Sequence, residues 1–360
     1  MDSPNGARGP EPISVLAKAS GNYRIEVRSL AKAAAAGRYE VKIEALRVAT
    51  PADRKADSIN TLAATLAVTK TKEERAALLT KEKELLTVEL WKALDLLGQR
   101  QAKFERSYAQ AINIYRTALN VAEQFGYTEG MAGSLNNIGT VYRSQNDNKQ
   151  ALEFYQRSLP LSEASGDKKL QALVSNNIGW MNFLLGNYVP SLEYDRKSLK
   201  LHEELGNKTG VAGTLNRMSL VYRLQGDFAQ ALEYAQRSLT LSKPLGNKAL
   251  MADVLMTNGL AHGSLDDNAR ALEFFQKSLA MSEEAGNKRL TANALEKIGG
   301  TYDAQGNVAQ ALEYYQKSLK LNEEIRNKRH IVFTTQAIGG VHRSQGNYAQ
   351  AMEYYRKSLE

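Results

Sequence analysis

A twenty-residue block that returns every forty residues leaves this chain little choice of architecture. NKQALEFYQRSLPLSEASGD (148–167) recurs as YVPSLEYDRKSLKLHEELGN (188–207), FAQALEYAQRSLTLSKPLGN (228–247), NARALEFFQKSLAMSEEAGN (268–287), VAQALEYYQKSLKLNEEIRN (308–327) and YAQAMEYYRKSLE (348–360), without one insertion or deletion. An earlier copy at 108–127 keeps the register, so adding 40 to a residue number finds its equivalent over about 250 residues. A period kept this strictly requires each unit to contact mainly its neighbours, as in a solenoid.

Each unit reads as two helices. Ala151, Tyr155, Ser158, Leu159 and Ser162 share one helical face on which small and large residues alternate, and small residues let another helix come close. Before it, Leu135, Ile138 and Tyr142 mark a second amphipathic helix with Gly139 beside them. The punctuation agrees. Gly226 ends one helix, Asp227 is placed to cap the next, and Gln230 follows three residues on as in a capping box; Asn307/Gln310 and Asn347/Gln350 repeat the arrangement. Gly166, Gly206, Gly246 and Gly286 stop the other helix. Helices of about 17 residues would each be roughly 25 Å long.

These residues resemble the tetratricopeptide repeat. Gly139, Gly179, Gly259, Gly299 and Gly339 match its signature glycine, Tyr142, Tyr222 and Tyr302 its tyrosine, and Ala151, Ala231, Ala271, Ala311 and Ala351 its alanine. The period departs from the family's usual 34 residues: the proline that ends the second helix there is replaced by Glu163 and its equivalents, so the helix is expected to run about six residues further. This longer form is similar to the repeats of kinesin light chains and of bacterial arrays joined to caspase-like CHAT protease domains. The resemblance covers about 94–360, and helix 82–97 with Leu97-Gly98 looks like a divergent first repeat, giving about seven units. It implies an all-α, right-handed solenoid of helix hairpins.

The organisation expected is a disordered stretch at 1–20, a β-strand pair at 21–47, a helical linker at 48–81, the divergent repeat at 82–127, then five full repeats and a truncated one at 128–360. The strands are read from the period-two alternation of GNYRIEVRSL and GRYEVKIEALR, and they resemble the last strands of a β-sandwich that precedes such repeats. Two strands form no stable sheet alone, and the chain ends inside an uncapped helix, so a fragment is expected, with end-to-end self-association through that last hairpin. No apolar run of membrane-spanning length and no export signal is visible, so no membrane partner is expected. A cytoplasmic location is expected, or a periplasmic one if a native N-terminus is missing.

Composition excludes more than it suggests. Zero cysteines remove disulfides, thiolate metal sites and cysteine nucleophiles. The net charge of +8 is spread rather than clustered: residues 1–127 carry 20 Lys+Arg against 15 Asp+Glu, and residues 128–360 carry 27 against 24. No phosphate loop, HExxH, GxSxG or EF-hand pattern occurs, so neither an enzyme nor a cofactor or metal is expected. Of the four histidines, His202, His262, His330 and His342, the second and fourth share the repeat site of Tyr142 and read as packing. Asp195 replaces the aromatic of Tyr155, Phe275 and Tyr315, and an unpaired buried carboxylate would be costly, so it is expected to face water or a basic side chain.

Function is therefore sought in the groove, which in this fold is lined by the first helix of each hairpin. Asn136, Asn137, Asn176, Asn177, Asn216 and Arg217, with Arg143, Arg223 and Arg343 further along, form a ladder of amides and guanidiniums. Amides suit the backbone of an extended peptide, and Arg suits a carboxylate. Asn-Asn-Ile-Gly is similar to the peptide-holding groove asparagines of kinesin light chains. A solvated polar face inherited by duplication explains the same pattern. A two-carboxylate clamp is only partly reproduced: Asn177 and Arg217 match, but Asn136, Thr140 and Gly213 stand where Lys, Asn and Lys belong. Trp180, Phe183 and Leu184, near Leu220, Leu224 and Leu260, would give the groove an apolar floor or else pack neighbouring helices. The expected partner is a protein or extended peptide. The alternatives are a recruiting arm of a CHAT protease and an RNA-binding repeat; against RNA, the groove is not strongly basic and stacking aromatics do not recur at one site per repeat.

Overall fold

The computed structural model describes residues 50–69, 71–104 and 107–359, so the disordered stretch expected at 1–20 and the strand pair expected at 21–47 lie outside the described residues. All regular structure among the described residues is helical, and no described helix is long and apolar enough to cross a membrane. The chain divides into two units, one up to Gly130 and one from Met131.

The first unit holds α1 (Pro51–Val68), α2 (Lys72–Lys81), α3 (Val88–Lys103) and α4 (Tyr108–Gln124). Thr50 starts α1 by a capping box: its hydroxyl accepts from the Asp53 N–H at 3.2 Å, and the Asp53 carboxylate accepts from the Thr50 N–H at 2.7 Å. The stretch read as a linker does more than connect, because Ile59, Leu62 and Leu66 of α1 and Leu79 of α2 are buried with Leu90, Leu94, Ile114 and Val121 of α3 and α4.

The second unit is built of hairpins: α5 (Thr128–Ser144) with α6 (Asn148–Ser165), α7 (Lys168–Leu184) with α8 (Tyr188–Glu204), α9 (Lys208–Leu224) with α10 (Phe228–Ser242), α11 (Lys248–Gly263) with α12 (Asn268–Glu284), α13 (Lys288–Ala304) with α14 (Val308–Glu324), and α15 (Lys328–Ser344) with α16 (Tyr348–Lys357). Left-handed backbone recurs every twenty residues, at Gly126, Asn146, Gly166, Gly186, Gly206, Gly226, Gly246, Asp266, Gly286, Gly306, Arg326 and Gly346. Each is the turn after a helix, where a positive φ reverses the chain. Arg326, at φ 55°, is the long side chain in a place that otherwise holds Gly, Asn or Asp. Asp227 caps α10 as expected, accepting from the Gln230 N–H at 3.1 Å, but Asn307 and Asn347 make no side-chain cap and instead lean on Gln305 and Gln345. Pro244 shortens α10 to Ser242 and leaves a 3-10 turn over Lys243–Leu245, because proline offers no N–H to continue the helix.

Two devices recur through the hairpins. A buried serine of the second helix donates to a carbonyl of the first: Ser158 to Ala132 (2.7 Å), Ser198 to Ala172 (3.2 Å), Ser238 to Ala212 (2.8 Å), Ser278 to Ala252 (2.7 Å) and Ser318 to Ala292 (2.9 Å). Serine is small enough for the close approach and satisfies itself there, each bond contributing about 1 kcal/mol. The second device is a ring on a bare glycine. A Cβ added at Gly98, Gly139, Gly259, Gly299 or Gly339 would lie 2.5–2.9 Å from the ring of Tyr115, Tyr155, Phe275, Tyr315 or Tyr355. The last hairpin has no serine clip, since Ser358 donates to Tyr355 of its own helix, and it leaves Tyr348, Met352 and Leu359 exposed where Val308 and Leu312 of the preceding unit are packed.

First helices touch one another across units (α7 on α9, α9 on α11, α11 on α13, α13 on α15), while second helices make no comparable contact with each other. The first helices are therefore the inner row, and the residues they turn away from their partners face the groove.

Candidate functional site

The polar residues read as a ladder bond mostly to one another. Asn136, Asn177, Asn216 and Arg217 are only 3–6% exposed. Asn177 donates to Asn136 at 2.9 Å, Asn136 donates to Asn137 at 3.3 Å, and Arg143 reaches Asn177 at 3.4 Å. One unit on, Asn216 donates to the open Asp253 carboxylate at 2.9 Å, leaving its own buried carbonyl oxygen unpartnered. These side chains tie adjacent first helices together. Arg143, Asn137, Asn176 and Arg223 are half-buried, and Arg343 is exposed at the far end.

Asp195 is the departure that reorganises the middle of the unit. It is fully buried and stands over Gly179 where other units place a ring. Arg217 of α9 fills the rest of that space. Its Nε donates to Asp195 at 2.8 Å, its Nη2 bonds the same oxygen and also donates to Asn176 at 2.8 Å, and the guanidinium lies 5.9 Å from the Trp180 ring centre. Burial pushes the Asp195 carboxyl up, and Arg217 and the Ser191 hydroxyl pull it back. The expectation that Asp195 meets a basic side chain holds in detail, but the guanidinium expected to catch a ligand's carboxylate already holds one from its own chain. The next unit meets the same volume problem a third way: Ser219 and Ala235 stand in the glycine and ring columns, a larger residue paired with a smaller one, and Ser219 donates to Ala231 at 2.6 Å.

The apolar residues divide. Trp180 and Phe183 stack on each other at 5.4 Å; Phe183 packs with Leu192, Met218 and Val221, and Trp180 sits against the Tyr155 and Ile178 cluster. Leu184 and Leu224, by contrast, are 41% and 43% exposed on the inner row, and Leu173, 44% exposed, joins them. Leu173 was missed in the sequence, although its column (Gly133, Leu173, Gly213, Asp253, Asn293, Phe333) is as readable as the others. Further along, Phe333 is exposed, Lys297 lies 5.5 Å from its ring centre, and Lys297 and His330 each bond the buried Glu296 at 3.0 Å. Burial alone would raise the Glu296 carboxyl, but these two partners hold it below its ordinary value.

Between these two stretches the inner row carries a recess of about 230 Å³ lined by Arg223, Leu260, Gly263, Lys297 and Gly300 over Phe275. Among the described residues no set of three His, Asp or Glu side chains is placed to hold a metal.

Stacked ring pairs join the two helices of five of the six hairpins, the exception being the unit with Asn182. Tyr142/Phe154, Tyr222/Tyr234, His262/Phe274, Tyr302/Tyr314 and His342/Tyr354 stack at 5.2–5.6 Å. Each pair joins the two helices of one hairpin, so the rings are spent on packing.

The family profile described as tetratricopeptide repeat matches residues 103–164, 170–244, 250–324 and 290–360. No curated protein matches the sequence. Among solved structures the fold is similar to the apo form of RapI (15% identity, 75% of this chain and 96% of that one, TM-score 0.63). It is also similar to the apo form of the quorum sensor NprR from B. thuringiensis (18%, 85% and 86%, 0.60) and to the Rap conjugation gene regulator of the plasmid pLS20 in complex with the Phr* peptide (12%, 85% and 94%, 0.55).

Proposed function

We propose that this chain, which belongs to the tetratricopeptide repeat family, is an interaction scaffold that holds an extended peptide along its inner row of helices. The observation that carries this reading is the run of exposed Leu173, Leu184 and Leu224 on α7 and α9, with half-buried Trp180, Leu220 and Leu260 between and beside them. Exposed apolar side chains in one row, flanked by polar groups, are what a peptide with one or two apolar anchors needs. The half-buried Asn137, Asn176 and Arg143 beside the row offer hydrogen bonds to the peptide backbone. Asn136, Asn177, Asn216 and Arg217 support the reading indirectly, as the buried layer that fixes the spacing of the row. The structure of the pLS20 Rap regulator with the Phr* peptide supports it by analogy of fold.

The test is an array of 15-residue peptides of defined sequence, probed with the full chain and with a Leu184→Asp/Leu224→Asp variant. Both leucines are exposed, so the variant is expected to keep the parent's melting temperature. Loss of the bound peptides in the variant supports the reading; unchanged binding, or no peptide bound by the parent, overturns it. The end-to-end self-association expected from the exposed face of α16 is read in the same samples by sedimentation velocity. Mass that rises with concentration supports it, and a concentration-independent monomer removes it.

A further inference from the structure

The recess on α9, α11 and α13 is made by two glycines. At the column of Arg143, Phe183, Arg223, Asp303 and Arg343, the unit at 263 has Gly; at the column of Thr140, Trp180, Leu220 and Leu260, the unit at 300 has Gly. Packing does not demand the first of them, because a Cβ at Gly263 would meet nothing nearer than the Ala271 methyl at 3.7 Å. The space is therefore free rather than filled from behind. Arg223 reaches it from the neighbouring unit, and its Nε is buried with no hydrogen-bond partner. Its guanidinium has no ion pair or side-chain hydrogen bond among the described residues, unlike Arg217, and desolvation lowers its pKa. A half-buried guanidinium with no acceptor in its own chain is left with donors for an acceptor on a ligand.

The charge of the recess decides which acceptor. No Asp or Glu lines it, and the second cation, Lys297, already bonds Glu296 at 3.0 Å, so one positive charge is left over. A carboxylate carries one negative charge, whereas a phosphate monoester carries about −1.5 to −2. Leu260 forms one wall and belongs to the apolar row, so a group seated here can be part of the same peptide.

We infer that the recess between Arg223, Gly263 and Gly300 is a subsite for one Asp or Glu side chain of the bound peptide, with the Arg223 guanidinium as its donor. The inference rests on the groove reading above and adds a requirement to it. It differs from the two-carboxylate clamp, whose matching positions, Asn177 and Arg217, are both bonded within the chain.

The peptide array tests it when each bound peptide is accompanied by copies with Asp→Asn, Glu→Gln and Asp→phosphoserine replacements. The parent is expected to bind acidic members about tenfold or more tightly than their amide copies, the scale of one charge-assisted hydrogen bond. Arg223→Gln should erase that preference, leaving the shared apolar binding in place. Gly263→Leu, which fills the recess while keeping the Arg223 charge, should erase it too, and this separates occupancy of the recess from long-range charge. Equal binding of acid and amide copies by the parent, a preference that survives in both variants, or a stronger preference for phosphoserine would each overturn the subsite while leaving the groove reading intact. Binding retained in the Leu184→Asp/Leu224→Asp variant would overturn the groove reading itself.

Discussion

Two neighbouring hairpins of the second unit meet the same packing demand with opposite chemistry. In α5–α6 the Tyr155 ring lies on Gly139, and its hydroxyl is 3.1 Å from that of Thr140, so one apolar body and one polar tip are both satisfied. In α7–α8 the ring is absent: Asp195 stands on Gly179, and the missing volume is filled by Arg217, brought in from the next hairpin. The first solution is local to one unit. The second ties two units together and desolvates a charge pair, which Coulomb attraction offsets only because Arg217 also bonds Asn176 and lies against Trp180. A repeat backbone thus tolerates a polar core wherever two substitutions 22 residues apart arrive together.

The widest gap between the two hairpins is expected on removing the cation. Arg217→Met leaves Asp195 buried and unpaired and should cost about 3–5 kcal/mol in urea unfolding, whereas Asp195→Phe with Arg217→Thr, the residues found at 275 and 257, should stay within about 1–2 kcal/mol of the parent. A double variant as unstable as Arg217→Met would show that the pair is required rather than one of two solutions.

Next in size is the ring contact. Gly139→Ala pushes a methyl against the buried Tyr155 ring and should cost about 1–3 kcal/mol. Gly213→Ala, with nothing within 4 Å, should be neutral or stabilise by up to about 1 kcal/mol. Equal effects of the two would remove the close-approach argument.

A pH series sharpens the comparison further. Burial, with the Arg217 charge added, holds the His202 pKa below its ordinary value. The unfolded chain therefore takes up the proton first, and stability should fall as pH drops through about 6.5. His202→Gln should flatten that slope, and a slope left unchanged would locate the proton uptake elsewhere. The smallest effect expected is at a turn: Arg326→Gly relieves a left-handed φ of 55° and should raise stability by about 1 kcal/mol in the same unfolding assay.

The fold was legible because its determinants are local and repeated. Turn glycines at twenty-residue spacing, the Asp227 cap and the small–large alternation each act within a few residues, so their meaning survives without coordinates. Where a local rule met a competitor it failed: Asn307 and Asn347 read as caps, yet their amides bond Gln305 and Gln345 instead. The candidate site was legible as a set of columns, but not as contacts. Asn136, Asn177 and Arg217 stand in groove columns, and the sequence could equally have left them free.

What the sequence by itself determined is the forty-residue register and the helix hairpin, because periodicity and turn chemistry are properties of the chain alone; the inner row of first helices came only from the family resemblance. Only the tertiary structure decided which polar groups are spent and which are free. Arg217 and Arg223 stand six residues apart on one helix, and one is bonded to Asp195 while the other keeps a buried N–H without a partner. The physical reason is that a side chain's partner depends on what the neighbouring unit offers at that height. A carboxylate faces Arg217, and two glycines face Arg223.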